Sequence, residues 1–415
     1  MPTTPTPTPV RGVRRISWDL LRVFAVLAVI LGHVTHQGAL LHPELTGYPV
    51  RVTAQFGAAI LLVISAFFVC ASLRKGHPGR WLWNRVARLV PAYLVAVLVT
   101  YLVTRYAAIR FSGLPFPPGL TGFLFGVPQG LPTDPSPWYI PTWADLLANL
   151  GMVPEWGYRF EWFYYLDGSY WTLPVQLAAF ACAALLWPRA WRTHRVTVGL
   201  LWALILVPLV IRFAIVPPSL EPSTHQKVVD SVFYGLGLHR AHVFAIGAAL
   251  WLWSKERLAH WHVALFVLAT CVAQDLQVFP FHRELPQDAQ RWPSTIGFAV
   301  LLAGVCFAAR GPDWRFPGLR RVAPAVTWLA GISYGLYLVH QELGYILARA
   351  LINLGVPGWL RLPAVVAAAV LAGWAITAGV ERPVHRWLTA RRDRHRKPEE
   401  PQVTDSEPVF VGGGS

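Results

Sequence analysis

Apolar stretches long enough to cross a ~30 Å hydrocarbon core recur about ten times along the chain. They fall near residues 17–41, 51–73, 89–109, 169–188, 196–216, 239–254, 261–279, 292–309, 326–350 and 362–381. Gln274, Asp275 and Gln277 interrupt the seventh, and the eighth is short. The pattern predicts an all-α, polytopic membrane helix bundle of about ten transmembrane helices. No internal repeat is evident, which weighs against a transporter built from inverted repeats. Residues 1–15, including the run MPTTPTPTPV, read as a disordered N-terminus, 16–388 as the membrane domain and 389–415 as a disordered tail.

Composition agrees with this class. Hydrophobic residues make up 54% of the 415 and charged residues only 14%, with a mean hydropathy of +0.43. The net charge of +15 would suit nucleic acid, but its distribution argues for topology instead. With the N-terminus in the cytoplasm, 24 of the Lys and Arg residues fall on that side, 11 on the outer side, and Arg22 within the first helix. Ten spans then return the C-terminus to the cytoplasm. No nucleic-acid partner is expected; the lipid bilayer is. Cys70, Cys182, Cys271 and Cys306 lie in apolar runs without metal-like spacing and read as small buried hydrophobes, so no metal is expected. The longest connection, about 110–168, lies on the outer side and is rich in Pro, Gly, Trp and Tyr. Connections of that length are usually functional or ordered against the domain. Of its Trp138, Tyr139, Trp143, Trp156, Trp162, Tyr164 and Tyr165, most are expected in an interfacial belt and a minority against a sugar or another flat acceptor.

Polar residues inside the apolar runs carry the candidate chemistry. The first run holds Asp19, Arg22, His33, His36 and Gln37. At about 100° per residue, the step from Arg22 to His33 returns to nearly the same stripe. Asp19 lies three residues before Arg22, where the two can pair. Ionisable groups in hydrocarbon by default mark a functional path, the alternative being a packing ion pair and a hydrogen-bonded core histidine. Depth along the helices places His33, Gln176 (with Thr172 on its face) and His340 at one outward-leaning level. Ser333, Tyr337, His340 and Gly344 follow helical spacing on one face of the ninth span. Near the cytoplasmic end, Arg85 and Arg88 lead into the third span and Arg22 sits low on the first. Arginine's fork suits phosphate oxygens, although such residues also serve as topology signals and lipid contacts. Arg22 lies ~16 Å below His33 by helical rise, a gap that fits a cofactor with a polyanionic head and a long thin arm, the shape of coenzyme A.

Several segments together resemble acyltransferase family 3, the polytopic membrane acyl-CoA O-acyltransferases. WDLLRVFAVLAVILGH is similar to the family's first span, with Arg22 and His33 at its arginine–histidine spacing. RVARLVPAY resembles the basic motif before the third span, and GAAILLVISAFF the second-span glycine-to-serine segment, with Ala66 where glycine is usual. SYWTLPVQ, ISYGLYLVH and ERPVHRW resemble the remaining signatures. One departure is that Gln176 stands where the family motif has glutamate. Asp167 or Glu342 could then supply the missing charge beside the histidine.

The resemblance implies transfer of an acyl group, acetyl by expectation, from cytoplasmic acyl-CoA as co-substrate to a hydroxyl of a cell-surface glycan or glycosylated small molecule. The expected location is a bacterial plasma membrane. His33 would be the general base, with His340, Tyr337, Ser333 and Gln176 as further catalytic candidates. Arg22, Arg85, Arg88 and Asp19 would form the coenzyme site. An acyl-histidine intermediate stays open. The rival reading is a proton-coupled transporter or flippase in which His33, His36, Asp19 and His340 form a relay.

Overall fold

A computed structural model describes residues 14–74, 77–128, 138–190, 194–215, 222–278 and 288–394. Residues 1–13 and 395–415, most of both expected disordered ends, lie outside the described residues. Among those described, every element is helical. The principal helices are α1 (Ile16–Leu41), α2 (Gly57–Leu73), α3 (Pro78–Ser112), α4 (Thr172–Ala190), α5 (His194–Val210), α6 (Ala241–Ser254), α7 (His260–Val278), α8 (Asp288–Arg310), α9 (Leu319–Val339), α10 (Glu342–Asn353), α11 (Gly358–Ile376) and α12 (Arg382–Arg394). Seven of them, α1, α3, α4, α5, α8, α9 and α11, are long and apolar enough to cross a membrane; α2 is apolar but shorter.

α1 runs through the interior, packed on α2, α9 and α8. Close crossings depend on glycine. A Cβ on Gly57 would run into the Ala25 carbonyl and Val29 of α1, and one on Gly335 of α9 into Gly373 of α11. Among the described residues, three π-turns interrupt helices: His33–Gln37 in α1, Ile211–Ile215 after α5 and Thr377–Glu381 after α11. Such turns frequently mark functional sites.

Several expectations need correction. The ninth span is not one helix over 326–350: it breaks at His340 and Gln341, and Gly344 belongs to α10. α3 begins at Pro78, whose fixed φ suits a first helical turn, so Arg85 and Arg88 lie within the helix rather than ahead of it. α12 stays helical to Arg394, beyond the expected boundary at 388. Cys182 is exposed on α4, whereas Cys70 is buried. Two of the polar interruptions of α7 have partners on neighbouring helices: Gln274 meets His242 at 2.8 Å, and Asp275 binds Arg291 and Thr295. These two are cross-links, and α7 continues through them.

The described parts of the connection between α3 and α4, residues 113–128 and 138–171, are tied to the bundle. Arg105, itself buried, donates to the carbonyls of Phe123, Gly126 and Pro141. Asp145 accepts from the Thr142 amide and hydroxyl, the Tyr139 hydroxyl and the Tyr164 amide. Asn149 bridges the Asp145 and Tyr164 carbonyls, and Tyr93 of α3 donates to the Asn149 carbonyl. A Pro-rich segment cannot satisfy its own backbone, and these buried side chains do it instead.

Candidate active site

The break between α9 and α10 builds the site. Where α9 ends, its last carbonyls lose their helical partners. One of them, Tyr337 O, lies 2.8 Å from His340 Nδ1. A carbonyl only accepts, so His340 Nδ1 carries the proton and, in the neutral ring, Nε2 is bare. His340 Nε2 lies 2.9 Å from His33 Nδ1. The bare nitrogen must accept, so His33 donates from Nδ1 and its own Nε2 is left with a free lone pair. The two rings lie only 16° from parallel with centroids 5.0 Å apart, an edge-to-edge placement that fits this bond. Backbone geometry thus sets the tautomer of both histidines.

On the other side of the break, the Glu342 amide at the start of α10 donates to Asp167 Oδ2 at 3.0 Å. Asp167 Oδ1 accepts from the Ser169 amide and hydroxyl, at 2.8 and 2.5 Å. The buried Asp167 therefore caps α10, and its charge acts on His340. Gly168 lets this strand of chain approach closely; a Cβ there would strike the Gln341 side chain.

His33 lines a cavity of about 1100 Å³ that Tyr337, Gln341 and Glu342 also border. The ordered connection supplies Tyr139, Trp156, Tyr164 and Tyr165 to its wall, so four of the seven aromatics expected mostly in an interfacial belt face the cavity instead. Trp143 and Trp162 are exposed, and Trp138 is buried, donating to Glu44. Burial pushes the Glu155 carboxyl in this wall up from its ordinary range, against the pull of Arg159.

Two expected site residues lie elsewhere. Gln176 Nε2 donates to Ser65 Oγ at 2.7 Å, tying α4 to α2 rather than contacting either histidine. Ser333 donates to the Ala330 carbonyl of its own turn and does not border the cavity. Asp19 does not pair with Arg22: both its oxygens bind Arg14, at 2.6 and 2.9 Å, and the Thr327 hydroxyl also reaches it. Arg14, at the N-terminal edge of α1, reaches that carboxylate bidentately, a fork geometry that favours it. His36 accepts from Arg51 and lies apart from Asp19, so the four groups of the supposed relay do not form a chain.

Arg22, Arg85 and Arg88 do assemble, near enough that each charge acts on the others. Arg88 pairs with Glu381 of the third π-turn at 2.8 Å, Arg85 donates to Ser72 Oγ, and Arg22 lies over the Phe68 ring. This cluster does not border the cavity. Among the described residues, no group of His, Cys, Asp and Glu could hold a metal ion.

The family described as an acyltransferase domain matches residues 15–378. The chain belongs to acyltransferase family 3. It is also 28% identical over 359 residues to the exopolysaccharide production protein ExoZ of Rhizobium meliloti (strain 1021), covering 84% of this chain and 95% of that protein. No solved structure matches. Membership and apolar helices together make this a multi-pass membrane acyltransferase.

Proposed function

We propose that the protein is an O-acyltransferase that moves an acyl group, acetyl in the first instance, from cytoplasmic acyl-CoA to a hydroxyl of a glycan or glycosylated small molecule. The observation that carries this reading is the chain from the Tyr337 carbonyl through His340 to His33 at the cavity wall, which leaves His33 Nε2 as the uncommitted nitrogen. In this scheme Nε2 takes the proton of the acceptor hydroxyl as its oxygen attacks the thioester carbonyl. The carbon–sulfur bond breaks, the coenzyme leaves as thiolate, and His33 returns the proton to sulfur. His340 accepts the Nδ1–H throughout, and the Asp167 charge steadies the positive charge that forms on the pair.

Arg22, Arg85 and Arg88 hold the coenzyme's phosphates. With Arg14 they make four cations against the two carboxylates of Asp19 and Glu381 among the groups described around them, an excess of positive charge that favours a polyanion. Asp19, committed to Arg14, serves the fold and not the coenzyme. With ten spans, both termini and the arginine cluster face the cytoplasm of a bacterial plasma membrane and the cavity leans outward, as the loop charges require. The similarity to a protein named for exopolysaccharide production supports a glycan acceptor.

The test is transfer from labelled acetyl-CoA by the purified protein to glycan acceptors. Labelled acceptor formed by wild type and not by His33→Ala supports the reading. Equal transfer by both would remove His33 from the chemistry, and no turnover with any acyl-CoA would remove the donor.

A further inference from the structure

The cavity wall carries four cations, Arg159, Arg212, Lys227 and Arg240. Two have carboxylates beside them: Arg212 lies 3.0 Å from Asp230, and Arg159 lies 3.8 Å from Glu155. Arg240 is different. Among the described residues it has no ion-pair partner, and its Nε, like those of Arg159 and Arg212, is buried without a hydrogen bond. The guanidinium lies over the Trp171 ring, 4.9 Å from the centroid, and its charge reaches Tyr234 and Tyr337.

Local structure aims it there. Gly237 adopts a φ of 69°, a left-handed turn that other residues resist, and its missing side chain lets Val175 of α4 pack close. The turn Leu238–Arg240 then delivers Arg240 at the start of α6. A guanidinium held deep in a protein without a counter-charge is costly, which favours an anion supplied from the cavity. Stacking on tryptophan occupies the guanidinium face and leaves its N–H edge free, the edge that binds carboxylate or phosphate as a fork. The Arg240 charge acts on Tyr337, whose carbonyl holds His340, and Arg240 and His33 border the same cavity. An anion at Arg240 and a hydroxyl at His33 could therefore be two substituents of one sugar.

We propose that Arg240 and Trp171 form an acceptor subsite for a sugar bearing an oxyanion, a carboxylate or a phosphate, so that the acceptor is an acidic glycan. This deepens the proposed function and rests on its reading of the cavity as the acceptor site.

The test reads binding rather than turnover, so it stays interpretable if acyl transfer itself fails. The purified full chain in nanodiscs is titrated with methyl glucuronide, glucose 1-phosphate and methyl glucoside. At least one of the two anionic sugars should bind about tenfold or more tightly than the neutral one, and the tighter of them names the source of the charge. Arg240→Gln should abolish that preference while binding coenzyme A as wild type does, a check that it folds. Arg240→Lys should restore it in part, since a point charge lacks the fork. Two results would overturn the proposal: wild type binding all three sugars alike, or a preference that survives Arg240→Gln.

Discussion

The histidine pair and the arginine cluster are both sets of basic groups on the same helix framework, yet they are built in opposite ways. At the histidines each nitrogen but one is committed by a fixed neighbour: His340 by the Tyr337 carbonyl, His33 by His340. At the arginines, three cations crowd together, and only Arg88 has a carboxylate bonded to it. The first arrangement orients a single lone pair. The second stores unbalanced charge at a partly exposed surface, where Arg88 keeps 46% of its side-chain area. In the proposed function orientation serves a reaction step and charge imbalance serves binding, so damage to each should appear in a different constant.

The largest effect should come from the oriented end. His33→Ala removes the proposed base, and general-base catalysis typically contributes about 10²–10⁴-fold, so transfer should fall to about 1% or less while coenzyme A affinity holds. A loss within about threefold would erase the distinction between the two ends. His340→Ala leaves the His33 ring present but unanchored. Transfer at saturating donor should drop by about 10-fold or more, since the partner that orients a general-base imidazole can be worth up to about 10⁴, with little change in coenzyme A binding.

The arginine end should respond the other way. Each charge-assisted contact is worth about 1.5–3 kcal/mol, so Arg85→Ala or Arg88→Ala should weaken coenzyme A binding by roughly one to two orders of magnitude. Arg88→Lys should recover only part of that, and added salt should weaken wild-type binding. Calorimetric titration of the variants separates these outcomes; wild-type affinity in both alanine variants would make the cluster a topology signal and lipid contact.

The smallest effect concerns the loop beneath the arginine end, where Asp313 accepts from the Ile16 and Ser17 amides and so caps α1. Burial pushes its carboxyl up, but the Ser17 and Ile16 amides outweigh that and hold it below its ordinary range. Because the folded value is depressed, the cap's contribution is full above the ordinary carboxylate range and is lost as pH falls through the lowered value. Asp313→Asn should lower stability by about 0.3–1 kcal/mol at neutral pH, the range of a surface charge at a helix N-terminus. The difference should vanish in acid, as a thermal-unfolding pH series would show.

How much of this was legible varied with the physical range of the interaction. Hydrophobic runs report burial directly, so the all-helical architecture and the common level of His33 and His340 could be read from spacing. The break at His340 could not. Whether HQE inside an apolar span continues a helix or ends it depends on Asp167, 175 residues earlier, being present to take the Glu342 amide. Gln176 failed for a related reason: helical depth gives its level but not its azimuth, and its amide turns to Ser65. Asp19 looked like a partner for Arg22 because spacing within a helix was the only information available, whereas Arg14 competes from just outside it. Arg240 carries no signal in the sequence, where a lone arginine beside an apolar run resembles a membrane-edge residue; only the fold sets Trp171 against it.

The claim on which the account turns is the protonation pattern of one ring. Nitrogen-15 solid-state NMR of the histidine-labelled protein in lipid at pH 7, with His33→Gln used to assign the signal, reads it directly. His33 should carry a proton on Nδ1 and none on Nε2, and Nδ1 and His340 Nε2 should share a coupling across their hydrogen bond. A proton on Nε2, whether in the opposite tautomer or in an imidazolium, would contradict it, because the ring would then have no lone pair to offer a hydroxyl in the cavity.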